Sequence, residues 1–150
     1  MVALLFEVDG QKYGLDVNQV VKVLPAVRLR QLPRVPDCVA GVFRYRGAMV
    51  PVIDLCQLIK GRPAAPLLST RIILVRHPGP SGEGRVLGLL AERATDTLDT
   101  GATEPLSSGV ATPEAPYLGG ISTSGGEMVQ YVRVEHVLPA DLRDRLFAEE

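Results

Sequence analysis

The chain is built from short segments in which every second residue is apolar, separated by turns rich in glycine and proline. The first two segments flank the turn Asp9-Gly10. Their apolar residues are Val2, Leu4, Phe6 and Val8 before the turn, and Tyr13, Leu15 and Val17 after it. Because alternation with a period of two is typical of half-buried strands, this region is predicted to be a hairpin.

Similar segments continue along the chain. Residues 41–55, GVFRYRGAMVPVIDL, contain two apolar arms and predict a second hairpin. Pro51 cannot donate a ladder hydrogen bond, so its arm should be an edge strand or carry a bulge. RIILVR at 71–76 and RVLGLLA at 85–91 predict two strands joined by a flexible loop, with an extended continuation to about Thr100.

Helical spacing occurs in one short stretch near the N-terminus. The apolar residues between Val17 and Leu24 follow it, with Asp16 or Asn18 available as a cap and Pro25 ending the run. Valine is a weak helix former, so only a turn or two is predicted. Asp54, at the end of the second hairpin, is predicted to cap a following turn.

The C-terminal part contains a loop, a hairpin and a helix. Residues 101–116 are polar, contain proline and show no periodicity, which predicts a long and mobile loop. YLGGIST and EMVQYVRV predict a last hairpin around residues 124–126. Pro139 should open a helix with Asp141 in its first turn. Its shared apolar face consists of Leu138, Leu142 and Leu146.

About nine or ten short strands at regular spacing describe small barrels or a sandwich. A parallel α/β fold is excluded because no long helices separate the strands. With 150 residues, of which 46% are hydrophobic, the chain has the size of one domain or two very small ones and can build a core.

The net charge of −1 argues against general attraction to nucleic acid or to anionic lipid. The charges are unevenly placed, because the segment between Lys22 and Arg46 contains a single anion, Asp37. Its six cations are Lys22, Arg28, Arg30, Arg34, Arg44 and Arg46. The segment is either a surface for an acidic partner or a solvated basic edge.

Residues with catalytic chemistry are few and scattered. Cys38 and Cys56 stand apart without a second pair, and neither His77 nor His136 has an orienting partner in the sequence. P-loop, dinucleotide-binding and HExxH motifs are absent. We therefore expect a protein that is not an enzyme, with no catalytic residues, cofactor or metal; an enzyme whose machinery the sequence does not display is the alternative.

The N-terminus does not resemble a signal peptide, and no apolar run reaches the roughly 18 to 20 residues that a membrane span needs. The expected location is therefore the cytoplasm, without membrane insertion. Small barrels do bind nucleic acid through aromatic platforms, but only Phe43 and Tyr45 lie among the arginines here. A nucleic-acid-binding barrel is kept as the alternative function.

Arg44, Tyr45, Arg46 and Gly47 form the tip of the second hairpin. Two arginines there could hold a phosphate, assist a reaction, face nucleic acid or contact a protein. In a regular strand both side chains would point to the same face, unless the turn at Gly47 reorients one of them.

Over nearly its whole length the sequence resembles the CheW-type coupling proteins of bacterial chemosensory arrays. The resemblance rests on FEVDGQKYGLDVNQVVKVL, on the specific stretch LPRVPDCVAGVFRYRGAMVPVIDL, and on STRIILVR, VLGLLAERATDTL and YLGGIST…MVQYVRVEHVL in the same order. It implies a mainly all-β fold of two interleaved five-stranded SH3-like β-barrels, with short helical turns and a C-terminal helix, spanning residues 1–150 as one CheW-like domain.

The resemblance also implies two partners, the regulatory domain of a CheA-type histidine kinase and the cytoplasmic tip of a methyl-accepting chemoreceptor. The protein would then lie at membrane receptor arrays without entering the membrane. The positions of Arg46, Gly41 and Val20 match partner-binding positions of the family. Gly41 could instead allow close backbone approach, and Val20 could instead belong to the core.

One position departs from the family pattern, because Arg44 stands where members commonly have asparagine. The RYRG tip, followed by GRPA and STR, is similar to the coupling proteins of Wsp-type surface-sensing systems, which lead to a diguanylate cyclase. The resemblance therefore leaves two pathways open, motility and surface sensing.

Overall fold

The computed structural model describes residues 1–82, 84–99, 101, 105–124 and 126–148. These residues form nine strands and two short α-helices. The strands are β1 (Val2–Val8), β2 (Gln11–Asp16), β3 (Val20–Pro25), β4 (Val39–Tyr45), β5 (Ala48–Asp54), β6 (Arg71–His77), β7 (Arg85–Asp99), β8 (Leu118–Ser124) and β9 (Glu127–Val132). The helices are α1 (Leu55–Lys60) and α2 (Ala140–Leu146), and single 3-10 turns occur at Val17–Gln19 and Val134–His136.

Strand β7 is 15 residues long and takes part in two groups of strands. Its first half pairs with β6 and β5, and its second half pairs with β1. Between the halves, Arg93 has a φ of 52°, and the register against β1 shifts between Leu5 and Glu7. The long strand can therefore leave one group and enter the other.

The first strand group has the order β7–β1–β2–β9–β8, and the second has the order β3–β6–β7–β5–β4. Most neighbours are antiparallel, but β2 pairs with β9 and β5 pairs with β7 in parallel. The mainly β fold is therefore confirmed, with two five-stranded groups that share β7. Closure of each group into an SH3-like barrel stays a prediction.

The largest cluster of buried apolar side chains is built from both strand groups and from α2. Phe6 of the first group, Ile73 of the second and Leu142 of α2 all belong to it. Each group also has a smaller cluster of its own, centred on Leu5 in the first and on Val50 in the second. Burying one such side chain contributes about 1.5–3 kcal/mol, so the shared cluster stabilises the association of the two groups.

The prediction of one or two helical turns between Val17 and Leu24 is wrong for most of that stretch. Only Val17–Gln19 forms a 3-10 turn, and the remainder is strand β3, which pairs with β6. The predicted cap at Asp16 is confirmed, since the Asn18 N–H donates to the Asp16 carboxylate at 2.9 Å. The spacing of the valines is compatible with a helix, but β-branched residues also favour strands. The stretch becomes a strand because the edge of β6 is available for pairing.

Asp54 acts as the predicted cap, although the helix after it was not predicted. One carboxylate oxygen accepts the N–H groups of Cys56 and Gln57 at 3.0 and 3.2 Å, which begins α1. The other oxygen accepts the Ala64 N–H at 2.8 Å. The helix ends at Gly61, whose φ of 73° suits a left-handed C-terminal cap.

The other predicted elements agree with the structure. The N-terminal and C-terminal hairpins, the strand pair β6 and β7, and helix α2 after Pro139 are confirmed. The strand that contains Pro51 is an exception, because the prediction of an edge strand or a bulge there is wrong: β5 lies between β4 and β7, and the register shift of the β4–β5 ladder lies between Val39 and Gly41. Pairing of β5 with β7 begins only at Val52, after Pro51. The described part of the 101–116 loop bridges to the sheet at Leu106; Thr100, where the extended segment was predicted to end, lies outside the described residues.

An ion-pair network that was not predicted joins the two strand groups. The Arg62 guanidinium donates to Asp9 at 2.8 Å and to Glu92 at 2.9 Å. Asp9 lies in the β1–β2 turn, whereas Glu92 is buried on β7 and also accepts the Ala65 N–H at 2.7 Å. The hydrogen bond from Arg62 lowers the pKa of the Glu92 carboxyl below its ordinary value.

Candidate partner-binding surface

The turn between β4 and β5 consists of Arg46 and Gly47, since Tyr45 already pairs with Ala48. Arg46 has a φ of 50° and Gly47 a φ of 82°, as in a two-residue type I′ turn. Glycine adopts such a φ freely, whereas a residue with a side chain is strained by roughly 1–3 kcal/mol. An arginine at this position therefore suggests a role beyond forming the turn.

The Arg46 side chain is exposed and turned toward Tyr45. Its guanidinium carbon lies 5.4 Å from the centre of the Tyr45 ring. Tyr45 and Phe43 are half-buried, with ring centres 6.4 Å apart and planes tilted by 58°, and they pack on the small core cluster of the second group. The aromatic side chains therefore anchor the tip rather than forming an open stacked platform.

Arg44 is exposed and lies directly opposite Met49 in the β4–β5 ladder. Because successive side chains alternate along a strand, Arg44 points away from Tyr45. The expectation that Arg44 and Arg46 share a face is therefore wrong, and the stated alternative holds, since the turn directs Arg46 toward the Tyr45 side. Met49, a residue that we did not predict, is 58% exposed.

Gly41 is buried, and its φ is 143°. A Cβ atom there would lie 2.5 Å from the carbonyl oxygen of Arg30. The approach is close because Arg30 and Val42 exchange two backbone hydrogen bonds of 2.9 Å. The structure therefore gives Gly41 a steric requirement of its own, and a direct partner contact at this position stays a prediction.

Val20 is half-buried at the start of β3 and packs against the largest cluster. Beyond it, Val21 and Val23 are exposed, with Lys22 between them. Strands β3 and β4 are the two ends of the second group's order, but Leu24 of β3 packs in the same small cluster as Phe43 and Tyr45. The predicted site residues lie on two elements of this group, the β3 edge and the β4–β5 hairpin.

All six cations of the segment between Lys22 and Arg46 are exposed to solvent. Among the described residues, none of these six side chains forms an ion pair with a carboxylate. Unpaired guanidinium groups on a tight turn are available for forked hydrogen bonds to carboxylates or backbone carbonyls. This observation favours the acidic-partner interpretation of the segment.

Outside this surface, the environments of the two cysteine thiols and of His77 disfavour chemical reactivity. Burial raises the pKa of the Cys56 thiol to about 12, and burial also raises the pKa of Cys38. A reactive thiol requires the opposite direction. His77 is buried, its Nδ1 accepts the Gly79 N–H at 2.9 Å, and burial lowers its pKa below the ordinary value.

In the described part of the chain, neither helix has the length and apolar character needed to cross a bilayer. A family model described as the CheW-like domain matches residues 2–141. The chemotaxis protein CheW of Klebsiella aerogenes is 25% identical over 140 residues, which cover 92% of this chain and 81% of that protein. The chemotaxis protein CheW of Rhizobium meliloti is 24% identical over 143 residues, which cover 94% and 89%.

The same fold occurs in the crystal structure of the scaffolding protein TtCheW from Thermoanaerobacter tengcongensis. The TM-score is 0.80 at 21% identity, and the match covers 92% of this chain and 87% of that one. Since the family model also matches nearly the whole sequence, the chain belongs to the CheW-like domain family, the non-catalytic scaffold proteins of chemotaxis signalling.

Proposed function

We propose that this protein is an adaptor that couples the cytoplasmic tip of a chemoreceptor to the regulatory domain of a CheA-type histidine kinase. The observation that carries the proposal is the β4–β5 tip, where Arg44 and Arg46 are exposed without carboxylate partners among the described residues. Membership of the CheW-like family supplies the class of partner. The protein then works in the cytoplasm, at the receptor arrays.

An adaptor needs two surfaces that can be occupied together. The β4–β5 tip and the β3 edge are the candidates for these surfaces, because both present exposed side chains to solvent. The tip offers guanidinium groups for charge-assisted hydrogen bonds, and the β3 edge offers the apolar side chains of Val21 and Val23. Val20 and Gly41 belong to these surfaces through the backbone they position.

The narrower proposal places the protein in a Wsp-type surface-sensing pathway that leads to cyclic-di-GMP synthesis. Its support is Arg44, which stands where related coupling proteins commonly have asparagine and which is exposed beside Met49. A second guanidinium attracts an acidic receptor tip and is left partly desolvated against a neutral one. Arg44 would thereby select the receptor class.

Co-purification tests the adaptor proposal. The tagged chain is expressed with the cytoplasmic fragments of a receptor and the kinase regulatory domain encoded beside it. Retention of both fragments on the tagged protein supports the proposal. A folded chain that retains neither fragment contradicts it, and retention of nucleic acid instead, removed by nuclease, would favour the alternative function.

A further inference from the structure

His77 is the last residue of β6, and its imidazole ring packs against the end of the C-terminal helix α2. Only 1% of the residue is exposed, and the centre of its ring lies 5.6 Å from the centre of the Phe147 ring, which directly follows α2. Histidine is the side chain whose ordinary pKa lies nearest to physiological pH. A titratable group therefore forms part of the contact that holds the C-terminal helix on the strands.

The hydrogen bonding of the His77 ring requires its neutral form. Nδ1 accepts the Gly79 N–H at 2.9 Å, so the proton of the neutral ring is on Nε2. Nε2 is buried, and no described residue accepts a hydrogen bond from it. A second proton would enter at Nδ1, where it would face the Gly79 N–H, a donor against a donor. Protonation therefore breaks the Gly79 hydrogen bond and buries a charge without an acceptor.

The charges around His77 also favour the neutral ring. Burial, and after it the charge of Arg143 on α2, lower the pKa of His77, whereas Glu135 in the exposed 3-10 turn has a smaller opposite effect. Arg143 pairs with Asp144 at 3.2 Å. On β7, Arg85 lies opposite His77 in the ladder, and its guanidinium carbon lies 5.8 Å from the centre of the aromatic ring that His77 contacts. An imidazolium there would lie close to two further cations.

Helix α2 depends on its packing for stability. It has only seven residues, Pro139 at its N-cap makes no side-chain hydrogen bond, and isolated helices of this length do not form in water. Leu142 and Phe147 pack in the largest cluster, and the Arg145 guanidinium donates to the carbonyl oxygen of Arg34. Because α2 ends the described chain and pairs with no strand, it can open locally while the sheet remains folded.

We propose that the contact between His77 and Phe147 is a pH-sensitive latch, in which the neutral ring holds α2 on the strands and the protonated ring releases it. In the released state water solvates the imidazolium, and the pKa of His77 returns to its ordinary value of about 6.5. The packed state has the lower pKa, so packing of α2 is favoured above about pH 6.5 and is lost as the pH falls through the packed-state value. Between these two values the equilibrium constant for release rises by up to about tenfold per pH unit.

Release of α2 changes the surface at the start of β5. The Phe147 ring lines a cleft of about 470 Å³ together with Met49 and Val50, directly after the β4–β5 turn. Release takes this ring out of the cleft and frees the carbonyl oxygen of Arg34 in the cationic segment. The latch therefore lets pH alter the shape of the surface that carries the exposed arginines.

Amide hydrogen exchange measures the release of α2 directly. The Arg143 N–H donates to the Pro139 carbonyl at 2.8 Å, and the Phe147 N–H donates to the Arg143 carbonyl at 3.1 Å. After division by the intrinsic exchange rate, we expect the opening of these two amides to increase by up to about tenfold per pH unit as the pH falls from about 6.5. The amide of Ile73, buried on β6, should keep its protection over the same range.

Matched variants separate the latch from general acid sensitivity. His77→Asn keeps an acceptor for the Gly79 N–H, and His77→Phe keeps an aromatic ring against Phe147, but neither residue can be protonated. Opening of α2 should be independent of pH in both, whereas His136→Asn, at the exposed second histidine, should behave like the parent chain.

Three results would overturn the latch. They are pH-dependent opening of α2 in both His77 variants, pH-independent opening in the parent chain, and loss of protection at Ile73 in step with α2. Histidine NMR of the parent chain is the second measurement, and it decides if neither His77 variant folds. We expect the His77 ring to titrate below about pH 6.5, together with the opening of the α2 amides. Titration at or above that pH, or titration without opening of α2, contradicts the proposal.

Discussion

The guanidinium of Arg46 lies over the ring of Tyr45, 5.4 Å from its centre, on the side of the β4–β5 hairpin away from Arg44. The side chains of two arginines separated by one residue thus lie on different faces of the hairpin. The cause is the turn, in which Arg46 adopts a φ of 50° and leaves the alternation of β4. The tip can therefore meet two partner elements, or two sides of one element, with separate charges.

Charge reversal at Arg46 should separate binding from folding. We expect Arg46→Glu to lower the free energy of unfolding by no more than about 1 kcal/mol, since an exposed cation–π contact contributes roughly 0.5–1 kcal/mol. The affinity for the partner at the tip should fall by roughly 2 to 5 kcal/mol. Thermal unfolding and calorimetric titration measure the two effects, with Arg133→Glu as an exposed control outside the tip. A large fall in melting temperature would make Arg46 a structural residue.

Gly41 and Gly47 form a matched pair for substitution by alanine. At Gly41 the new Cβ would lie 2.5 Å from the Arg30 carbonyl oxygen, whereas at Gly47 nothing lies within 4 Å. Both positions have a positive φ, so both variants are strained, but only Gly41→Ala also displaces backbone. We expect Gly41→Ala to cost at least about 2 kcal/mol more than Gly47→Ala in chemical denaturation. Equal costs would mean that Gly41 tolerates a side chain and is free to serve as a contact.

Arg44 is expected to set the choice of receptor. Arg44→Asn should weaken the cognate receptor fragment, strengthen binding to receptor fragments of a standard motility array, and leave the affinity for the kinase regulatory domain unchanged. Titration of both receptor fragments against the parent chain and the variant gives the ratio of affinities. If that ratio does not move, Arg44 is a solvated surface residue and specificity lies elsewhere.

Acid should weaken the fold through Glu92. Its folded-state pKa is lowered by Arg62, so the ion pair stabilises the protein above the ordinary glutamate pKa of about 4.3 and is lost as the pH falls through the folded value. The free energy of unfolding, measured by chemical denaturation at several pH values between about 6 and 3, should therefore decrease more steeply with falling pH for the parent chain than for Glu92→Gln. Glu127→Gln, at an exposed pair with Lys12, is the control. An equal decrease in the free energy of unfolding with pH for the parent chain and for Glu92→Gln would contradict this account.

Local pattern predicted most of the strands, because alternation and turn residues are properties of neighbouring positions. It failed between Val20 and Leu24, where valine spacing fits a helix and a strand equally and the β6 edge decides. It also missed α1, because Leu55 and Cys56 continue the apolar run of β5, and only the capping carboxylate of Asp54 marks the change.

The surface required information that lies far apart in the sequence. The steric role of Gly41 depends on Arg30, and the ion pairs of Arg62 depend on Asp9 and Glu92. The orientation of Arg46 depends on the turn type, which the pair Arg46-Gly47 signals only through its glycine. The residues of the tip could therefore be identified from the sequence, whereas the directions of their side chains could not.

The central claim is that one chain holds a receptor tip and a kinase regulatory domain at the same time. Size-exclusion chromatography coupled to light scattering, on a mixture of the three proteins, measures this directly. The account predicts a single species that contains all three, with the affinity for the kinase domain preserved when the chain is saturated with receptor fragment. Mutually exclusive binding, in which each fragment displaces the other from the folded chain, would contradict it.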